Sequence, residues 1–159
     1  MRSAKALLVI AGALLIAVGC GGGGEPKGPL THDGYQDEIS GISGDAFGPA
    51  QLYSELVVGT LSQQDCAAKL ADFQTQVGDL VERVAALQPP PDAATAQAAF
   101  VTAARQSVAQ LGAIANEVAA GTLACGEALN AQLTAIPSNA QASAAIASLQ
   151  ASGYTVFGQ

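Results

Sequence analysis

The sequence predicts an all-α domain, an up-down antiparallel bundle of three to four helices with the first one broken and one disulfide closing it. Three observations predict it. Apolar residues from Cys66 to Leu87 recur at alternating steps of four and three, which places them on one helical stripe. Pro89, Pro90 and Pro91 end that stripe and stand directly before a second one, so the two rods must fold back on each other. Cys66 lies near the start of the first rod and Cys125 near the start of the helix after the second, and an up-down layout brings both to the same end.

The chain opens with Arg2 and Lys5, continues with a thirteen-residue apolar run from Ala6 to Val18, and reaches small residues before a cysteine, the three parts of an export signal. At helical rise the run reaches only about 20 Å, short of the roughly 30 Å hydrocarbon core, so it is read as a cleaved signal and not as a membrane span. Its ending, Ala17-Val18-Gly19-Cys20, resembles the lipobox of bacterial lipoproteins. The resemblance implies cleavage before Cys20, lipidation of that cysteine, and a domain anchored outside the cytoplasm at the cell membrane or outer membrane. Two or three acyl chains, at about 0.8 kcal/mol per buried methylene, hold a soluble domain at a membrane durably. Behind the anchor, GGGGEPKGP offers no side chain to a core and spans roughly 15 to 18 Å as a flexible tether. The expected organisation is thus a signal peptide over 1–19, the lipidated cysteine with its tether over 20–29, and the bundle domain over 30–159.

Removing residues 1–19 takes Arg2 and Lys5 away and moves the formal net charge from −7 to −9. Such a domain is repelled by nucleic-acid phosphates and by anionic lipid, so the partners expected are the membrane, through the acyl anchor, and an envelope protein, with no nucleic acid. With Cys20 assigned to lipid, Cys66 and Cys125 remain, either as one bridge or as two buried thiols. The bundle layout favours the bridge, which is worth about 4 kcal/mol in the chain-entropy description of so long a loop.

Residues 30–64 read as a broken helix. Thr31 can cap its start, Gly41, Gly44, Gly48 and Pro49 interrupt it, and a second piece from about Ala50 to Leu61 carries Leu52, Leu56 and Val57. The next helix, about Gln63 to Gln88, has Ser62 as its cap and Asp65 at its positive end, with Cys66, Leu70, Phe73, Val77, Leu80, Val84 and Leu87 as its seam. From Asp92 to Gly121 a second long helix turns Phe100, Val101, Ala104, Val108, Leu111, Ala115 and Val118 inward. Leu123 to Ile136 continues with Leu129 and Leu133. Pro137 breaks it, and Ser138 with Gln141 reads as a capping box for a last helix to about Ser152. Alanine dominates the inner faces, so the core is thin and the bridge matters to its stability.

His32, Asp33, Asp37 and Glu38 form the one cluster of candidate metal or acid–base ligands, but a helix start enriched in carboxylates is the favoured reading of it. Asp65, Asp72 and Asp79 recur every seven residues along the seam helix and read either as an acidic rail for a basic partner or calcium or, the favoured reading with Lys69 and Arg83 one turn after two of them, as ordinary i,i+4 pairs. No nucleophile elbow, phosphate-binding loop, dinucleotide fingerprint or Cys-x-x-Cys is present, and His32 is the only histidine; no catalytic residue, metal or cofactor is expected. Tyr154, Val156 and Phe157 at the carboxyl end read first as packed against the bundle and otherwise as a docking surface for a partner, while Tyr35, Phe47 and Tyr53 either join the core or line a small pocket. The composition is similar to that of small Ala-rich helical lipoproteins of bacteria. The function expected is a non-enzymatic interaction or structural module of the cell envelope; the alternative is a bundle that binds a small molecule or cation, because alanines beside isolated aromatics leave cavities between helices.

Overall fold

The computed structural model describes residues 28–156, which are helical with no strand among them. The expected signal peptide over 1–19, Cys20 and Phe157 lie outside the described residues. Six helices follow in order: α1 (His32–Asp45), α2 (Phe47–Val58), α3 (Gln63–Ala86), α4 (Pro91–Ala119), α5 (Glu127–Thr134) and α6 (Ser138–Ala151). They make four antiparallel rods, because α1 with α2 and α5 with α6 each form one broken rod beside the long α3–α4 hairpin. The up-down bundle and its broken first rod are as the sequence predicts. The last rod, interrupted at Pro137, is broken in the same way.

Each boundary has a local cause. Thr31 Oγ1 accepts from the Gly34 amide at 3.2 Å, and Ser62 Oγ accepts from the Asp65 amide at 3.1 Å, so both expected caps form. Helix α1 runs through Gly41 and Gly44 where the sequence reading breaks it. Tyr35, Ile39 and Ile42 stand one stripe apart and are all buried, and that burial outweighs a propensity cost of about 1 kcal/mol per glycine. At the far side of the hairpin, Pro91 occupies the first turn of α4, where its missing N–H costs nothing. Gly121, at φ 74°, ends α4 in the left-handed conformation.

Two glutamines close the hairpin at opposite ends. Gln97 on α4 donates from Nε2 to the Val84 and Leu87 carbonyls at 3.0 and 3.2 Å, satisfying the terminus of α3. Gln63 on α3 donates to the Val118 and Leu123 carbonyls at 2.6 and 2.9 Å, doing the same for α4.

The core is divided along the long axis. At one end α1, the second half of α3, the first half of α4 and α6 bury Tyr35, Ile39, Val84, Phe100, Leu149 and Tyr154 together. At the other end α2, the start of α3, the last turns of α4 and α5 bury Leu56, Cys66, Leu70, Val118, Leu129 and Leu133. The disulfide Cys66–Cys125 staples this second cluster, with Cα atoms 6.5 Å apart across a separation of 59 residues. Beside it the backbones of α2 and α5 cross at two glycines. A Cβ on Gly126 would lie 2.9 Å from the Gly59 Cα, and Gly126 donates its amide to the Leu56 carbonyl at 3.1 Å.

Two details of the sequence reading are corrected. Ser138 does not cap α6: Pro137 occupies the cap position, and Ser138, buried in the first turn, turns its hydroxyl to Ser107 on α4 at 2.7 Å. Lys69 and Arg83 do not pair along α3 with Asp65 and Asp79. The first rod lies beside them, so Lys69 reaches Glu55 on α2 at 2.5 Å and Arg83 reaches Asp45 at the end of α1 at 2.7 Å.

Candidate functional site

Both broken rods are interrupted at one level, the waist of the bundle, beside the first core cluster, and proline explains both interruptions. Pro49 has no N–H to give the Asp45 carbonyl four residues back, so the first rod parts at Ala46, between α1 and α2. Pro137 likewise leaves the Leu133 carbonyl unserved by the helix, and the Asn139 side chain takes its place, donating from Nδ2 at 3.1 Å.

Between these joints a cleft of about 260 Å³ is open. Ile42, Ala46 and Pro49 of the first rod line one side, and Asn139 and Ala142 of the last rod line another. The floor is made by Val77, Leu80, Val81 and Val84 of α3 with Phe100, Ala104 and Ser107 of α4. The cleft accounts for a departure from the expected seam. Val77 and Leu80 sit in the middle of the stripe and yet are only half-buried, because the rod that would cover them is broken there.

Among the described residues Ser107 and Asn139 are the only lining residues with polar side chains, and none that lines the cleft is ionisable. They form one corner together with Ser138. Asn139 Nδ2 faces a carbonyl, so its Oδ1 is turned to Ser107, whose hydroxyl donates to it at 3.0 Å. Ser138 and Ser107 stand 2.7 Å apart. Since the Ser107 proton goes to Asn139, Ser138 is the donor of that pair.

The acidic cluster at the start of α1 is placed differently. His32 stacks on Tyr154 with ring centroids 4.4 Å apart, and its Nδ1 lies 3.4 Å from an Asp33 oxygen. Asp33, Asp37 and Glu38 are exposed. Among the described residues no group of three or more His, Cys, Asp or Glu side chains is arranged to hold a metal ion. His32 belongs instead to a clasp that fastens the carboxyl end to the bundle. Tyr154 is buried, meets Tyr35 edge-on at 5.1 Å, and donates its hydroxyl to both Asp92 oxygens at 3.0 and 3.1 Å. Burial first, and then the bond to Asp92, push the Tyr154 hydroxyl above its usual pKa. Gln36 grips Thr155 with both ends of its amide, accepting from the amide at 2.7 Å and donating to the carbonyl at 2.9 Å. Packing of Tyr154 and Val156 against the bundle is thus as expected.

The remaining aromatics divide. Tyr35 is core, Tyr53 packs obliquely on Phe73 and donates to Asn130 at 2.5 Å, and Phe47 is exposed at the start of α2. Asp65, Asp72 and Asp79 are exposed on α3. Every lysine and arginine among the described residues is engaged across helices, the third pair being Arg105 of α4 with Glu82 of α3 at 2.6 Å.

Sequence reasoning did not find Ser107, Ser138 or Asn139 as a group. Ser107 falls on the inner stripe of α4, three residues after Ala104 and four before Leu111, and a serine at that position is the signal that was available. No helix among the described residues is long and apolar enough to cross a membrane. Neither a family model, nor a curated protein, nor a solved structure matches the chain.

Proposed function

We propose that the protein is a membrane-tethered helical lipoprotein of the cell envelope that works without catalysis, holding a small apolar molecule in the cleft at its waist. The observation that carries this reading is the cleft: about 260 Å³, between helices, lined almost wholly by aliphatic and aromatic side chains with one polar corner. Ligand sites in bundles have this construction, and a cavity of about 150 Å³ with apolar walls suffices to bind benzene. The anchor at Cys20 and the Gly-rich tether support a place beside a membrane, where apolar molecules are concentrated.

The test is a titration of the purified full-length chain with toluene, followed by methyl NMR. Ile42, Val77, Leu80 and Val84 are expected to shift saturably, while Leu129 and Leu133 in the other cluster stay in place. Ala104→Phe, which fills the floor, is expected to abolish those shifts. Absence of saturable shifts in the parent, or their persistence in that variant, overturns the reading.

A second reading is supported by charge. Residues 28–156 carry twelve acidic and three basic side chains, and the three basic ones are already engaged, which leaves Asp65, Asp72 and Asp79 as an acidic edge for a basic envelope protein. A photo-crosslinker at position 72 in living cells tests it: a discrete protein adduct supports the reading, and none refutes it.

A further inference from the structure

The cleft's polar corner offers lone pairs. Both serine hydroxyl protons have destinations, Ser138 to Ser107 and Ser107 to Asn139 Oδ1. Ser107 Oγ retains one unfilled acceptor position and Asn139 Oδ1 another. A ligand reaching this corner gains most by donating a hydrogen bond, since Ser107 is 8 % exposed and has little water to satisfy it otherwise.

Charge and size narrow the ligand further. Among the described residues no ionisable one lines the walls, so an ion entering the cleft would lose hydration and meet no counter-ion there. Among the described residues the cationic side chains are Lys69, Arg83 and Arg105, and all three are held by Glu55, Asp45 and Glu82. An anion meets the excess of acidic side chains as well. Benzene, with six non-hydrogen atoms, occupies a cavity of about 150 Å³, so the volume available here scales to roughly ten.

Resting on the cleft-binding reading above, we infer that the waist selects an uncharged amphiphile with a hydrogen-bond donor at one end, of the class of a medium-chain alcohol, over the carboxylate or ammonium of the same length. The alkyl chain lies against Val77, Leu80 and Phe100, and the hydroxyl donates to Ser107 Oγ.

The experiment compares 1-octanol, octanoate, octylammonium and toluene on the full-length chain at pH 8, with the Val77 and Leu80 methyl signals as the readout. The expected result is that 1-octanol binds at least tenfold more tightly than either ion. Ser107→Ala is expected to weaken 1-octanol several-fold and leave toluene unchanged. If that variant does not fold, the parent's ligand series decides alone. Octanoate or octylammonium binding as tightly as the alcohol overturns this inference while leaving the cleft reading intact. Failure of both toluene and 1-octanol to bind removes the cleft reading and this inference with it.

Discussion

Tyr35 carries an expected gain in stability from losing an atom. Its side chain is fully buried among α1, α3, α4 and the carboxyl-terminal segment, and its hydroxyl has no hydrogen-bond partner among the described residues. A buried, unpartnered polar group costs about 1–3 kcal/mol. Tyr35→Phe keeps the ring, and with it the edge-on contact to Tyr154 at 5.1 Å, and removes only the unsatisfied oxygen. For a domain of this length, unfolding entropy of about 2.1 cal/mol/K per residue makes each kcal/mol worth roughly 4 °C, so the variant should melt roughly 4 to 11 °C higher at pH 7. Alkaline pH gives a second, independent arm. Burial, and secondarily the neighbouring Tyr154, raise the Tyr35 pKa from 10.0 to about 12 in the folded protein. Below pH 10 folded and unfolded chains both keep the proton. Between 10 and about 12 only the unfolded chain releases it, so the parent loses stability as pH rises through that window and Tyr35→Phe does not. Thermal unfolding of the pair from pH 7 to 11.5 measures both effects. A variant that melts at or below the parent at pH 7, or a difference that fails to widen above pH 10, refutes the claim that this hydroxyl is buried without a partner.

Three further outcomes are expected. Replacing both Cys66 and Cys125 by alanine should lower stability by about 4 kcal/mol, from the 59-residue separation they close, read as a drop of roughly 15 °C in melting temperature; a change under about 3 °C would show that the staple does not limit the unfolded chain. Gly126→Ala should cost clearly more than Gly121→Ala in urea unfolding, because a Cβ there meets the Gly59 backbone at 2.9 Å in addition to the strain of φ 84°. Gly121→Ala, at φ 74° with open space around it, should cost only the left-handed penalty of about 1–2 kcal/mol, and equal losses at the two sites would disprove the crossing of α2 and α5. Pro49→Ala should let α1 run into α2, protect the residue 49 amide from hydrogen exchange, and weaken toluene binding several-fold; an unprotected amide would show that proline is not what parts the first rod.

The elements that the sequence made legible are those with long uninterrupted periodicity. The seam from Cys66 to Leu87 and the stripe from Phe100 to Val118 are each set by local spacing, and spacing survives folding unchanged. Helix α1 was less legible because Gly41 and Gly44 lower local helix propensity, whereas the burial of Tyr35, Ile39 and Ile42 that overrides it depends on rods distant in the chain. The ion pairs were misplaced for a related reason. Lys69 and Arg83 have an aspartate one turn back in sequence, but each meets a carboxylate of the first rod in space. Of the cleft, only the ingredients could be read, namely Pro49, Pro137 and a surplus of small residues.

The order of apolar residues, the proline positions and the two cysteines determine on their own the two long rods, the break at Pro137 and which ends meet, because these follow from helical pitch and from the missing N–H of proline. Tertiary packing alone decided that the two cuts fall at one level, that Ser107, Ser138 and Asn139 converge there, and that Tyr154 closes on Asp92 and His32. Such coincidences depend on the rotation and offset of one rod against another, which many side chains set jointly and no stretch of sequence encodes by itself.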